Sequence, residues 1–116
     1  MKRDNRYYLL ATRSIAETGC QIIKTYYTET EFEKITSACP VPIIIAGGKV
    51  LPEKEALELT YKAMQEGARG VDMGRNIFQA ASPKAMARSI NLIVHGGENA
   101  AKAYEAYEQY KSELGK

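Results

Sequence analysis

Three short β-branched runs, each set between helical patterns, limit what this chain can fold into. They are Gln21-Ile22-Ile23-Lys24-Thr25-Tyr26, Val41-Pro42-Ile43-Ile44-Ile45-Ala46 and Gly70-Val71-Asp72-Met73. A helix is expected over about 4–18, with Tyr8, Ala11 and Ile15 turned inward. A second, over 30–38, follows an expected capping box in which Thr28 and Glu31 satisfy each other's backbone donors. A third spans 53–66, with Ala56, Leu59, Ala63 and Met64 on one face, Glu53, Glu55 and Glu58 on a solvated face, and Gly67 as the stop. Ser82-Pro83 supplies an N-cap followed by proline in the first helical position, and Met86, Ile90, Ile93 and Val94 form the apolar stripe beyond it. His95 ends that helix as a C-terminal cap. The last helix, about 99–114, repeats Ala100, Ala103, Tyr104, Tyr107 and Leu114, with Tyr110 at the same spacing. Strands alternating with helices pair in parallel, and the middle run is apolar on both faces, as a covered parallel strand must be. The fold class is α/β.

Three strands are too few to stand alone. A doubly wound sheet ordinarily has five or more strands, and a closed (β/α)₈ barrel needs eight strands and about 250 residues. A three-stranded parallel sheet leaves two open edges and one bare face. The 116 residues therefore form one domain that either belongs to a larger body or associates with other copies of itself.

Charge and composition exclude several kinds of partner. Sixteen basic residues are interspersed with fourteen acidic ones for a net charge of +2, which gives no nucleic-acid footprint. No apolar stretch reaches the length of a membrane span and no signal core follows Met1, so a soluble cytoplasmic protein with no membrane partner is expected. In that compartment Cys20 and Cys39 are small apolar fillers rather than a disulfide.

Two strand ends share a format that suits an anion. The second run leads into Ala46-Gly47-Gly48-Lys49, the third into Met73-Gly74-Arg75-Asn76. Glycine at the carboxyl end of a parallel strand lets backbone N–H groups approach phosphate oxygens, and a helix start adds its positive pole. Arg75 offers a bidentate fork and Lys49 a point charge. Gly74–Gln79 has the length of the short extra helix that barrel enzymes place at their phosphate site. The plainer reading is two tight turns; the glycine spacing matches neither a Walker loop nor a dinucleotide fingerprint.

Lys24 is the one candidate nucleophile. Alternation puts Ile22, Lys24 and Tyr26 on one face of the first strand, and Ile23 and Thr25 on the other. With Ile23 and Thr25 against the helices, Lys24 points into the concave side, where desolvation lowers its pKa toward the neutral amine that carbonyl attack requires. The alternative is a lysine reaching solvent or paired with a carboxylate such as Asp72. Asp72 and Tyr26 are the nearby acid–base candidates.

The same three runs, extended to Gln21–Tyr27, Cys39–Lys49 and Gly70–Gln79, resemble the class I, Schiff-base aldolases of the bacterial and archaeal type, with a likeness beginning near Arg3-Asp4 and covering nearly the whole chain. Within them the likeness is greatest to the branch that processes phosphorylated autoinducer-2. The resemblance implies the carboxyl-terminal part of a TIM barrel, about strands six to eight with their helices, truncated on its amino-terminal side so that residues 1–116 are one partial barrel domain. It implies Lys24 as the Schiff-base lysine and Gly47, Gly48, Gly74 and Arg75 as phosphate binders, with no metal and no bound cofactor. The autoinducer branch takes 3-hydroxy-5-phosphonooxypentane-2,4-dione with coenzyme A as co-substrate, giving glycerone phosphate and acetyl-CoA; its relatives cleave fructose 1,6-bisphosphate. The missing strands carry acid–base residues, so an inactive half-barrel that binds a phosphorylated small molecule, or associates with itself, is the other expectation.

Overall fold

The computed structural model describes residues 4–114, so Met1-Lys2-Arg3 and the side chain of Leu114 lie outside the described residues. The elements run α1 (Asn5–Ala16), β1 (Ile23–Tyr26), α2 (Phe32–Ala38), β2 (Ile43–Ala46), α3 (Glu53–Gln65), β3 (Gly70–Asp72), α4 (Gly74–Phe78), α5 (Pro83–Val94) and α6 (Ala100–Leu114). The sheet is parallel throughout, in the order β1-β2-β3. Each strand is shorter than its β-branched run: β1 and β2 lose the two residues that lead in from the preceding turn, and β3 ends before Met73, which caps α4. The chain is thus an α/β fold with a small open sheet.

Register sorts the strand residues onto two faces. Ile23 pairs with Ile43 and Thr25 with Ile45, and Ile45 in turn with Val71. This row faces the helices: Ile23, Ile43 and Ile45 are buried against Phe32 and Ile35 of α2. Each fully buried side chain of this size contributes roughly 1.5–3 kcal/mol. The opposite face carries Lys24, Ile44 and Gly70 in one row, and Tyr26, Ala46 and Asp72 in the next. No helix covers it.

A second apolar cluster joins α3, α5 and α6 through Leu57, Met86, Ile90, Ile93, Ala103 and Tyr107. Leu59, Met64 and Val71 pack against both clusters, so α3 and β3 knit the two halves together. Ser82 caps α5 by accepting from the Ala85 N–H, with Pro83 opening the helix, as the sequence indicates. His95 stands at the C-cap of that helix. Cys39 is buried in the first cluster and Cys20 packs at its margin; both are free thiols.

Four local expectations are corrected. The capping box does not form: the Thr28 hydroxyl donates to the Thr30 carbonyl, while Asn5 Nδ2 donates to the carbonyls of Thr30 and Glu31 at 3.2 and 2.8 Å. That turn is tied to α1, and α2 begins only at Phe32, after Glu31 in the left-handed region (φ 58°). On α1 Tyr8 packs against the first cluster as expected, but the buried residues are Thr12 and Ala16, one position on from Ala11 and Ile15, and Ile15 is 49% exposed. Thr12 turns inward without loss because its hydroxyl donates to the Leu9 carbonyl at 3.1 Å. On α3 the fully buried stripe is Ala56, Leu57, Thr60 and Ala63, with Leu59 and Met64 only partly covered. Glu53 is not part of a solvated face: its Oε1 accepts from the Ala81 N–H at 3.1 Å and from the Tyr107 hydroxyl at 3.3 Å. Among the described residues no helix is long and apolar enough to cross a membrane.

Candidate functional site

The carboxyl ends of the three strands open on one cavity of about 300 Å³. Lys24 and Tyr26 of β1 line it, with Ala46, Gly47 and Gly48 after β2 and Asp72, Met73, Gly74, Arg75, Asn76 and Phe78 around the end of β3. All five site residues singled out in the sequence, Lys24, Gly47, Gly48, Gly74 and Arg75, meet here. A neighbouring groove of about 380 Å³, between α1 and β1, is lined mainly by Tyr7, Tyr8, Ala11 and Ile15, and shares Lys24, Tyr26 and Ala46 with the first.

Lys24 lies on the open face, as strand alternation demands once Ile23 and Thr25 face the helices. Its Nζ is 2.9 Å from Asp72 Oδ2, and the two side chains are 52% and 54% exposed. The desolvated setting expected for this lysine is therefore not what surrounds it; the carboxylate pairing is. Tyr26 shares its face, 46% exposed, and its ring packs beside Gly48, where an added Cβ would sit 3.7 Å from Cε1.

The two glycines after β2 do different things. Gly48 has φ +66°, a left-handed conformation open to glycine at no steric cost. Gly47 is needed for room: a Cβ there would lie 2.9 Å from Asn76 Nδ2 and 3.0 Å from Met73 Cα. Its N–H already donates to the Asp72 carbonyl at 3.2 Å, carrying the β2–β3 pairing one residue past the strands. Gly74 opens α4, and Arg75 beside it is exposed at the cavity rim. Lys49 does not line the cavity; it contributes its carbonyl, which accepts from Asn76 Nδ2 at 3.3 Å.

Asn76 is the residue that sequence reasoning missed. It is 2% exposed, and its Oδ1 accepts from the Leu51 N–H at 2.8 Å. A lone polar residue between Arg75 and Ile77 reads locally as helix surface, and only the neighbouring loop reveals its partners. Among the described residues no group of three or more His, Cys, Asp or Glu side chains gathers to hold a metal ion.

The arrangement joins a primary amine, a carboxylate in contact with it, an exposed guanidinium and a close-packed pair of glycine turns around one concavity. Such a set suits a small anionic carbonyl compound: cation and loops for the anion, amine for the carbonyl.

Comparison with known proteins gives a family and several named relatives. A family model described as DeoC/LacD family aldolase matches residues 2–80. A 3-hydroxy-5-phosphonooxypentane-2,4-dione thiolase of Photorhabdus laumondii is 64% identical over 107 residues, 92% of this chain and 37% of that protein. An uncharacterised aldolase of Pasteurella multocida is 62% identical over the same shares. The thiolase of that name in Salmonella typhimurium is 58% identical over 112 residues, 97% of this chain and 38% of its own length. The chain thus spans little more than a third of the relatives it matches.

Proposed function

The chain belongs to the DeoC/LacD aldolase family, and from that membership we propose that it is the carboxyl-terminal portion, about strands six to eight, of a (β/α)₈ barrel that cleaves a phosphorylated keto substrate through a Schiff base on Lys24. The observation that carries this reading is the single cavity at the strand carboxyl ends, in which Lys24 faces the Gly47-Gly48 turn, Gly74 and Arg75. Barrel enzymes place their chemistry at that end, with phosphate held by the loops of the last two strands.

In this reading Arg75 takes two phosphate oxygens as a fork, and backbone N–H groups at Gly48 and Gly74 take others. Gly47 provides the close approach, its own N–H being committed to Asp72. Phosphate held there sets the ketone over Lys24 Nζ. The nitrogen lone pair attacks the carbonyl carbon, water leaves, and the iminium withdraws electrons from the adjacent carbon–carbon bond. Asp72, 2.9 Å from Nζ, is the proton acceptor on hand.

The identity to thiolases named for 3-hydroxy-5-phosphonooxypentane-2,4-dione supports that dione as substrate, with coenzyme A as acyl acceptor and glycerone phosphate and acetyl-CoA as products, the reaction of phosphorylated autoinducer-2 breakdown. The exposed Lys24, Tyr26 and Asp72 side chains on that sheet face favour a second reading for the chain taken alone: it binds a phosphorylated ligand without turning it over. Borohydride trapping with glycerone phosphate, followed by mass mapping, tests the amine chemistry. A reduced adduct on Lys24 is expected. Absence of adduct both here and in a full-length relative overturns the Schiff-base assignment.

A further inference from the structure

We propose that Asn76 is the positioning residue that locks the β2–α3 loop to the end of β3, so that the two glycine turns act as one anion cradle. The inference rests on the phosphate reading above and assigns the device that holds its two halves in register. Asn76 sits on α4, next to Arg75 and two residues beyond Gly74, yet both polar atoms of its side chain serve the other loop. Oδ1 accepts from the Leu51 N–H at 2.8 Å, and Nδ2 donates to the Lys49 carbonyl at 3.3 Å. The side chain is 2% exposed, so neither backbone group can trade it for water without opening the contact. Gly47 completes the fit: Asn76 Nδ2 lies 2.9 Å from where a Cβ at Gly47 would stand. The amide thus fills the space that the glycine leaves and bonds the two residues on either side of Val50. Serine is too short to reach both partners, aspartate lacks the donor, and leucine has the shape without either bond.

The linkage has a measurable consequence, because a ligand that binds only the locked arrangement stabilises the lock by the same factor. The experiment titrates the chain, labelled with ¹⁵N, with inorganic phosphate and follows the amides of Gly47, Gly48, Gly74 and Leu51. In the wild type all four are expected to shift together along one saturation curve. In Asn76→Ser and Asn76→Leu, the Gly74 amide is expected still to respond, while Gly47 and Gly48 lose their coupled shift and the apparent Kd rises about tenfold. A purely structural role would move all of them alike. Should the variants fail to fold, hydrogen exchange at the wild-type Leu51 amide decides: at phosphate ten times Kd it is expected to slow about tenfold. Unchanged exchange there, or variants that bind with wild-type Kd and coupled shifts, overturns the role of Asn76 while leaving the phosphate site standing. A wild type whose amides do not saturate with phosphate overturns the phosphate reading, and the cradle with it.

Discussion

Lys24 Nζ meets Asp72 Oδ2 at 2.9 Å across a whole intervening strand. Their strands are not neighbours: β2 lies between them. The contact exists because parallel register puts Lys24, Ala46 and Asp72 on one face, and because the residue crossed is an alanine. Lys24 starts one row below Asp72, beside Ile44 and Gly70, and its four-carbon stem runs diagonally toward the strand ends. An exposed pair of this sort contributes at most about 1 kcal/mol to stability, so the fold does not depend on it.

Asp72→Asn separates stability from chemistry. The amide keeps the shape of the carboxylate but cannot take a proton. Stability, measured by urea unfolding, is expected to change by less than about 1 kcal/mol. The rate of borohydride-trapped adduct formation on Lys24 is expected to fall about a hundredfold, the low end of general acid–base contributions. Equal trapping rates in variant and wild type would remove Asp72 from the mechanism.

The glycine turns make a prediction of opposite signs. Gly47→Ala forces a Cβ against Met73 Cα, a backbone atom that cannot swing aside, and is expected to cost about 1–3 kcal/mol. Gly74→Ala meets only Phe78 Cε1, at 3.8 Å, and replaces a helical glycine, so it is expected to be neutral or to stabilise by up to about 1 kcal/mol. Denaturant midpoints of the two variants check the pair. Equal losses would mean that the close approach of the two loops is not maintained in solution.

How far these features can be read from the sequence follows the range of the interactions that fix them. β1, β2 and β3 lie inside their β-branched runs, and Lys24 takes the open face, because alternation along a strand is a property of adjacent residues. The Ser82-Pro83 helix start is equally local. What could not be read depends on partners remote in sequence. The turn before α2 is set by Asn5, more than twenty residues away, so the Thr28 and Glu31 pattern misleads. Asn76 is fixed by Leu51 and Lys49, and Glu53 by Ala81 and Tyr107. The setting of Lys24 depends on how much of the concave face is covered, and nothing in β1 itself determines that.

Glu53 carries a pH dependence with a defined sign. The Ala81 N–H, foremost, then its own backbone N–H and the Tyr107 hydroxyl hold its carboxyl below the usual value of 4.5. Its folded-state pKa is depressed, so its contribution is present above that ordinary value and is lost as pH falls through the lower, folded one. Glu53→Gln is therefore expected to lower stability at pH 7, by about 1 kcal/mol for a partly solvated charged hydrogen bond, with the difference from wild type shrinking as pH drops below about 4. A gap between the two unfolding curves that stays constant from pH 7 to pH 3 would contradict this.

Self-association is the expectation with the widest physical basis. β1 is an edge strand with no partner on its outer side among the described residues. Ile22 at its start is 60% exposed, Ile15 across the adjoining groove 49%, and Phe78 at the cavity rim 63%. Unpaired N–H and C=O groups beside apolar side chains are a template for pairing with another chain. Light scattering across a concentration series is expected to show mass rising with concentration. Ile22→Lys puts a charge at the edge, the device by which edge strands resist pairing. It is expected to shift that rise to higher concentration while leaving the core residues Ile23 and Thr25 in place. A wild-type chain that remains a compact monomer throughout the series would show that the edge is protected by some contact other than a second copy.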